Sequence, residues 1–308
     1  MAGGVEWVAV DWGTSNLRAW GIDSAGAIVF SKASDRGMAK LSRDDYPGVL
    51  AGLLEGSRSS GQSMDVLICG MAGARQGWLE APYLEVPADL GRLAAGAVSP
   101  DAPGTGLSLR ILPGICQRRA GAEDVMRGEE TQLLGLLALR PGYAGPVVMP
   151  GTHSKWVMLE GGGISRFETA MTGELYDVIG ANTVLRHALA GEREGAATED
   201  GVSDGLQAGI KNPALLTSLL FRTRAASLLS GRGPDWCSGY LSGLLVGAEI
   251  AGHSDWLGSR PVPLLGSPRL CRIYTAALAQ IVAKSETIDA TEATIAGLKA
   301  ARTQGRSG

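Results

Sequence analysis

A strand, a glycine-threonine turn, a second strand and a tight turn occur twice in this chain, in one register. The first copy is Val8-Ala9-Val10-Asp11, the turn Gly13-Thr14-Ser15, the strand Leu17 to Ile22 and the polar turn Asp23-Ser24-Ala25. The second is Val147-Val148-Met149-Pro150, then Gly151-Thr152-His153-Ser154-Lys155, the strand Trp156 to Leu159 and the turn Glu160-Gly161-Gly162-Gly163. Laid on each other without a gap, Gly13 falls on Gly151 and Asp23 on Gly161. With 45 glycines in the chain, a Gly-Thr pair recurs easily. Strand, turn, strand and turn in the same register recur far less easily, so the pattern reads as an internal duplication.

A chain of 308 residues with a duplicated unit predicts two domains, about 1–140 and 141–308. The last helix is expected to pack back on the first domain. At 45% hydrophobic and 19% charged residues, the composition is that of an ordinary globular protein with a sizeable core. The glycines have no collagen-like period and read as tight turns and close backbone approaches. A net charge of −3 argues against nucleic acid or an anionic membrane, either of which needs a basic face. The N-terminus lacks a signal-peptide pattern, and there is no apolar run of roughly 18 residues. Cys69, Cys116, Cys237 and Cys271 are far apart with no CxxC pair, which reads as buried thiols in a reducing cytoplasm. Partners are then small solutes or proteins; a homodimer is compatible with the sequence.

Along the chain, the pieces before, between and after the first two turns predict an antiparallel three-strand meander. A helix around Tyr46–Glu55 and an apolar strand Val66–Cys69 follow, the latter ending in Gly70-Met71-Ala72-Gly73. Helical periodicity marks Glu129–Leu139, closed by Pro141-Gly142. After the second hairpin come helices over Leu175–Leu189, Ser203–Lys211, Leu215–Leu229 and Tyr240–Ala251, a strand Val262–Leu265 ending at Gly266-Ser267, and helices over Leu270–Ala283 and Ala290–Ala301. The polar tail Thr303–Gly308 is expected to fray. With no low-complexity linker, the halves are expected to share a cleft and a hinge.

A strand that ends in Gly-Thr-Ser and doubles back aims several backbone N–H groups at one point, and glycine lets an oxyanion approach closely. Two such turns are suited to the β- and γ-phosphates of a nucleotide, with Lys155 adding a point charge. Asp11, at the end of the first strand, is placed to hold Mg²⁺ through water. Alone, a GTS turn is most often an ordinary hairpin and Asp11 a turn cap; the pairing gives them meaning. Phosphoryl transfer needs positioning and charge neutralisation above all, and a carboxylate that accepts the hydroxyl proton helps. Glu129 and Glu130 open a helix, where acids also serve the helix dipole. Glu129, directly after Gly128, is preferred as the base.

Five blocks together resemble the 2-dehydro-3-deoxygalactonokinase family. They are Val10-Asp11-Trp12-Gly13-Thr14-Ser15-Asn16-Leu17-Arg18, Gly70 to Trp78, Arg127-Gly128-Glu129-Glu130-Thr131-Gln132, Pro150 to Trp156, and Met171-Thr172-Gly173-Glu174-Leu175. The resemblance implies an α/β chain with the two-domain actin-like ATPase fold (a duplicated ribonuclease H-like unit with an interdomain cleft). It implies ATP and Mg²⁺, with Gly13, Thr14, Ser15 and Asn16 as first phosphate loop. Gly151, Thr152, His153, Ser154 and Lys155 form the second, and Gly266 lies beside the adenosine. The first domain would carry the substrate site and the second the adenosine site. Gly128-Glu129 sits where related sugar kinases carry Gly-Asp with the base; here the acid is glutamate. The implied substrate is 2-dehydro-3-deoxy-D-galactonate, phosphorylated on its terminal hydroxyl in galactonate degradation. Its carboxylate needs a cation, for which Arg18 and Arg75 are the candidates, with Trp78 as a pocket wall.

Other functions compete. The same fold serves non-kinase sensors and chaperone-like ATPases, kinases for the gluconate epimer, and kinases that form acyl phosphates. Gly201-Val202-Ser203-Asp204-Gly205 matches a nucleophile elbow, but charged residues rather than a strand precede it, so Ser203 reads as a helix N-cap. Gly104-Thr105-Gly106 lacks a third glycine, and no Walker A sequence occurs. His187 and His253 have no metal-ligand spacing and are expected to pack.

Overall fold

The computed structural model of the chain describes residues 4–57, 63–190 and 196–305. Two compact units emerge. One comprises Met1–Ala144, Leu159–Arg166 and Ala290–Gly308; the other comprises Gly145–Met158 and Phe167–Asp289.

The first unit opens with β1 (Trp7–Trp12), β2 (Leu17–Ile22) and β3 (Ile28–Ser34), the expected antiparallel meander. After α1 (Asp45–Leu53), β4 (Met64–Gly70) pairs parallel with β1. Short strands β5 (Tyr83–Glu85) and β6 (Ala88–Asp89) precede β7 (Leu107–Ile111), which pairs parallel with β4. Strands β8 (Gly114–Gln117) and β9 (Asp124–Met126) form a separate small sheet with β5, and α2 (Glu129–Leu139) follows. The main sheet therefore runs β3-β2-β1-β4-β7. Strand β1 is buried along almost its whole length, as a central strand covered on both faces must be.

The second unit repeats this order. Strands β10 (Gly145–Met149), β11 (Ser154–Glu160) and β12 (Gly163–Ala170) are followed by α3 (Thr172–Asn182), α4 (Ala196–Lys211), α5 (Leu216–Leu229) and α6 (Pro234–Gly252). Then come β13 (Val262–Gly266), α7 (Pro268–Gln280) and β14 (Ser285–Asp289). Its sheet order β12-β11-β10-β13-β14 matches β3-β2-β1-β4-β7, with β13 parallel to both β10 and β14. The duplication read from two turns thus extends over five strands. The tip of the second hairpin, residues 159–166, is counted with the first unit, where Gly163 and Ile164 pair with Asp89 and Ala88 of β6. The closing helix α8 (Ala290–Gln304) also belongs to the first unit.

Several expectations are corrected. Ser203 does not cap a helix: α4 already starts at Ala196, so Ser203 lies in its interior. The predicted helix Leu175–Leu189 ends at Asn182, where Thr183 caps a short 3₁₀ turn through its side chain. The final helical stretch near Ala283 stops at Gln280 and leads into β14, which the sequence did not reveal. Of the tail expected to fray, residues 306–308 lie outside the described residues.

Helix α4 presents Gly201, Gly205 and Gly209 to Gly239, Gly243 and Gly247 of α6. A Cβ on any of them would collide with the opposing backbone. Spaced by four residues, these glycines form one stripe on each helix and let the backbones touch. In the first unit, Gly135 of α2 and Gly297 of α8 interlock in the same way. That contact fixes the helix that carries Glu129 and Glu130.

Candidate active site

In the first unit, strands β1 and β4 end side by side, with Asp11 opposite Cys69 and Trp12 opposite Gly70. Across the β1–β2 ladder Asp11 faces Arg18, and Arg18 Nη2 donates to Asp11 Oδ2 at 2.6 Å. Arg18 Nη1 also donates to Thr291 Oγ1 at 3.2 Å. The side chain expected to hold a metal and one expected to hold the substrate carboxylate are thus joined in a cross-strand ion pair.

The first glycine-threonine turn is braced from behind by the segment after β3. Met38 N–H donates to the Gly13 carbonyl at 3.0 Å, Ala39 N–H to the Thr14 carbonyl at 2.9 Å and Gly37 N–H to the Ser15 carbonyl at 3.2 Å. With these carbonyls turned back, the Thr14 and Ser15 amides have no hydrogen-bond partner among the described residues. Both are free to donate to a ligand. Gly37 is required at its position, since a Cβ there would overlap the backbone of Thr14 and Ser15. The turn lines a hollow of about 740 Å³ with Asp11, Gly13, Asn16 and Arg18, joined by Ser34 and Asp35, which sequence reasoning missed.

Behind this lies the start of α2. Gly128 has φ of 107°, a left-handed conformation that suits glycine, and a Cβ on it would stand 3.4 Å from the Cα of Gly70. Glu130 is fully buried; its Oε2 accepts from the Gly128 amide at 2.6 Å and its Oε1 from Thr131 Oγ1 at 3.0 Å. Burial, reinforced by the neighbouring Glu129 charge, pushes its carboxyl up to about 8. Glu129 is only half-buried, and its Oε2 accepts from the Arg127 amide at 3.1 Å. Burial and the Asp11 and Glu130 charges push the Cys69 thiol well above its ordinary range, so it is neutral beside Asp11.

Arg75 is exposed in the loop after β4, its carbonyl accepting from Arg43 Nη2 at 2.7 Å. Trp78 is 8% exposed and packs with Trp12 and Tyr46 in the core of the unit, ring centroids 6.1 and 5.6 Å away. It underpins the loop that carries Arg75. A guanidinium that the sequence did not single out for a role is that of Arg127. It stacks 4.3 Å over Tyr83 and donates to the Ala81 carbonyl at 2.8 Å, while its Nε and Nη1 are buried without a partner among the described residues.

In the second unit, the turn Gly151–His153 is braced by the start of α3. Glu174 N–H donates to the Thr152 carbonyl at 3.0 Å, and Gly173 lies so close to Gly151 and Thr152 that a Cβ would collide with them. His153 Nε2 and Glu174 Oε2 are 2.5 Å apart. Ser154 is fully buried, its Oγ 2.8 Å from the Tyr274 hydroxyl. Lys155 is 5% exposed and donates to Thr169 Oγ1 at 2.9 Å. A pocket of about 310 Å³ opens beside this turn, lined by Gly151, Thr152, Thr172, Gly173, Tyr176, Ser242, Ser267, Arg269, Ile273 and Tyr274 among others. Gly266 abuts the Pro150 carbonyl, where a Cβ would come to 2.8 Å, and Ser267 caps α7 through its hydroxyl. Thr172 and Gly173 belong to a sequence block that already stood out. Arg269 and Ile273 have no sequence signal, since a pocket wall on a helix looks like any other amphipathic face.

The chain matches the family described as 2-keto-3-deoxy-galactonokinase over residues 11–301. It is 44% identical over 296 residues to a Rhizobium meliloti (strain 1021) protein curated under the name "Probable 2-dehydro-3-deoxygalactonokinase DgoK1", covering 96% of each chain. The chain belongs to the 2-keto-3-deoxy-galactonokinase family. The 2-dehydro-3-deoxygalactonokinase of Escherichia coli (strain K12) is 37% identical over 256 residues, covering 82% of each. The crystal structure of a provisionally named 2-dehydro-3-deoxygalactonokinase protein from Sinorhizobium meliloti superposes with a TM-score of 0.89 at 44% identity, covering 96% of this chain and 97% of that one. At 12% identity, the component A of (R)-2-hydroxyglutaryl-CoA dehydratase from Acidaminococcus fermentans shares the fold, with a TM-score of 0.53 over 97% of this chain and 98% of that one.

The fold is therefore the α/β, two-domain actin-like ATPase fold, as the five blocks implied. Membership of a named kinase family makes the chain an ATP-using kinase of a small molecule and favours that reading over a sensor or chaperone-like ATPase. No described helix is long and apolar enough to cross a membrane.

Proposed function

We propose that this chain transfers the γ-phosphate of ATP to the terminal 6-hydroxyl of 2-dehydro-3-deoxy-D-galactonate, a step in galactonate degradation in the cytoplasm. The observation that carries this is the family match over residues 11–301, which spans both glycine-threonine turns and the acidic start of α2.

Residue roles follow from local geometry. The Thr14 and Ser15 amides and hydroxyls of the first turn bind phosphate oxygens, as do the Thr152 and His153 amides of the second. Gly151 and Thr152 open onto the 310 Å³ pocket of the second unit, which takes the adenosine between Ser267, Arg269 and Ile273. Asp11 is a hard oxygen donor lining the same hollow as Thr14 and Ser15, with only 17% of its side chain exposed. One carboxylate of this kind fits Mg²⁺, which keeps several waters and takes its remaining ligands from phosphates. Bound there, the ion would neutralise charge on the β- and γ-phosphate oxygens. Arg18 holds the Asp11 carboxylate in one orientation.

A base must reach its proton, and Glu130 is fully buried with both oxygens already accepting hydrogen bonds. Glu129, at the more open first position of α2, is assigned to accept the proton of the attacking hydroxyl. Glu130 holds the Gly128 turn that aims it. Arg75 is assigned to the substrate carboxylate, since Arg18 is engaged by Asp11; a guanidinium fork matches a carboxylate in two parallel bonds.

The test is turnover with Mg·ATP and a panel of 2-keto-3-deoxy acids, followed through ADP release, with the product read by phosphorus NMR. A 6-phosphate ester formed from the galactonate supports the proposal. Turnover only with the gluconate epimer moves the substrate, an acyl phosphate moves the acceptor atom, and ATP hydrolysis indifferent to every acid ends the proposal.

A further inference from the structure

Helix α6 buries one ionisable acid, the carboxylate of Glu249, on its inner face. Glu249 is 7% exposed, in the interior of the second unit. A buried carboxylate is costly unless donors surround it, and a well-packed apolar residue would serve packing alone at least as well. Here three donors converge. Trp156 Nε1–H reaches Oε1 at 2.7 Å, the Tyr274 hydroxyl reaches Oε2 at 2.7 Å, and the Thr172 hydroxyl donates to Oε2 as well. Burial pushes this carboxyl up, while Thr172, Tyr274 and Trp156 pull it back.

The donors come from β11, α7 and the first turn of α3. Thr172 and Tyr274 both line the pocket beside the second glycine-threonine turn. With Glu249 ionised, the direction of each hydrogen bond is fixed, because a carboxylate only accepts. Tyr274 gives its proton to Glu249, so towards Ser154, 2.8 Å away, its oxygen accepts. Ser154 then gives its proton to Tyr274 and presents a lone pair to the Gly151 amide, at 3.4 Å. A one-way chain results: Gly151 N–H to Ser154, Ser154 to Tyr274, Tyr274 to Glu249. By the same logic Thr172 offers the pocket only lone pairs.

We propose that Glu249 is a positioning residue for the nucleotide: through Tyr274 and Ser154 it orients the Gly151–Ser154 turn, and through Thr172 it sets the hydrogen-bonding face of the pocket. The proposal rests on assigning this pocket to ATP. Networks of this kind rigidify what they join only when every member is satisfied.

Glu249→Gln tests it, because a carboxamide keeps the shape but turns one end into a donor, which either opposes the Trp156 N–H, itself only a donor, or forces the Thr172 and Tyr274 hydroxyls to reverse. Calorimetry on the full chain with Mg²⁺ and adenylyl imidodiphosphate is expected to show affinity lowered about tenfold or more, the scale of a hydrogen bond to a charged group. The KM for ATP should rise in parallel while the KM for the sugar acid stays within about twofold. Tyr274→Phe breaks the chain in its middle and should act in the same direction, with the double variant no worse than Glu249→Gln alone. Wild-type nucleotide affinity in Glu249→Gln overturns the proposal, and so does an equal rise in both KM values with a lowered Tm. Should Glu249→Gln fail to fold, wild-type affinity in both Tyr274→Phe and Ser154→Ala overturns it instead. The pocket assignment is tested separately by Ser242→Phe, which fills the cavity: undiminished nucleotide binding there removes the pocket from ATP, and this proposal with it.

Discussion

In the first unit the Thr14 carbonyl accepts the Ala39 amide at 2.9 Å; in the second the Thr152 carbonyl accepts the Glu174 amide at 3.0 Å. In the first, Gly37 presses against the turn, and in the second Gly173 does so. Both turns take a backbone brace from the segment after their third strand, three hydrogen bonds in the first copy and one in the second. Their side chains have diverged. Where the first copy has Asp11 and Arg18 in an ion pair, the same register in the second gives Met149 and Trp156. The second copy carries Lys155 in its turn and, beneath it, the carboxylate of Glu249, buried and reached only through hydroxyls and an indole. A duplicated hairpin keeps the features that shape its amides, because those are backbone geometry. The side chains around it are free to specialise, one turn for an open charged hollow and the other for a closed, hydrogen-bonded pocket.

The sharpest break in that comparison is Asp11→Ala. It removes the carboxylate from the charged turn and should lower kcat by about a thousandfold, with Tm nearly unchanged because Arg18 is partly solvated. Steady-state kinetics beside a thermal melt read both; near-normal turnover would remove Asp11 from the metal site. Next come the two glutamates of α2. Glu129→Gln should lower kcat about a hundredfold at unchanged stability. Glu130 should instead show itself in stability against pH. Its folded carboxyl stands at about 8, above the ordinary glutamate value of 4.5, so the native state holds the proton more tightly than the unfolded chain. The stability this gives is complete at acid pH and is lost as pH rises towards and through about 8. Between about pH 6 and 9 the wild type should lose roughly 3 kcal/mol through this group. Glu130→Gln should flatten that slope and become the more stable protein at the alkaline end, in denaturant titrations at several pH values. Parallel pH profiles for the two proteins would remove the buried acid from the account.

Much of this was legible because turn chemistry is local. Gly13, Thr14 and their partners in the second copy show in the sequence as breaks between apolar runs, and so give the meander and its repeat. Helix α2 was legible to the residue, since Gly128 precedes it and Pro141-Gly142 closes it. Long-range structure was not. The glycines of α4 and α6 look like helix weakeners until the two stripes meet, and the polar run before Ser203 hides that α4 starts at Ala196. Strand β14, Ser285–Asp289, is short and mostly polar at one end of its sheet, without the apolar run that marks a strand. Glu249 did leave a trace: a single carboxylate amid Leu244, Leu245, Val246, Ile250 and Ala251. A charge placed in an apolar stretch marks a buried acid with partners, but those partners stand 25 to 93 residues away. Sequence alone offers Arg18 as a substrate ligand because it does not show that Arg18 stands across the ladder from Asp11.

The smallest effect discriminates most finely between the turns. Gly37→Ala and Gly173→Ala each add one methyl where the backbone of a turn already lies, so each should cost about 2 kcal/mol of stability by overpacking. If both turns hold phosphate through amides alone, the two variants should raise the KM for ATP alike. The second turn, however, is also held from inside by Ser154 and Tyr274, while the first rests on its brace and solvated charges. A push on Gly173 is therefore resisted by the buried chain, whereas a push on Gly37 displaces Thr14 and Ser15 more freely. Gly37→Ala should raise the KM for ATP several-fold more than Gly173→Ala at equal loss of Tm. Equal KM changes would mean that the buried network stiffens nothing, and that the two copies differ in charge alone.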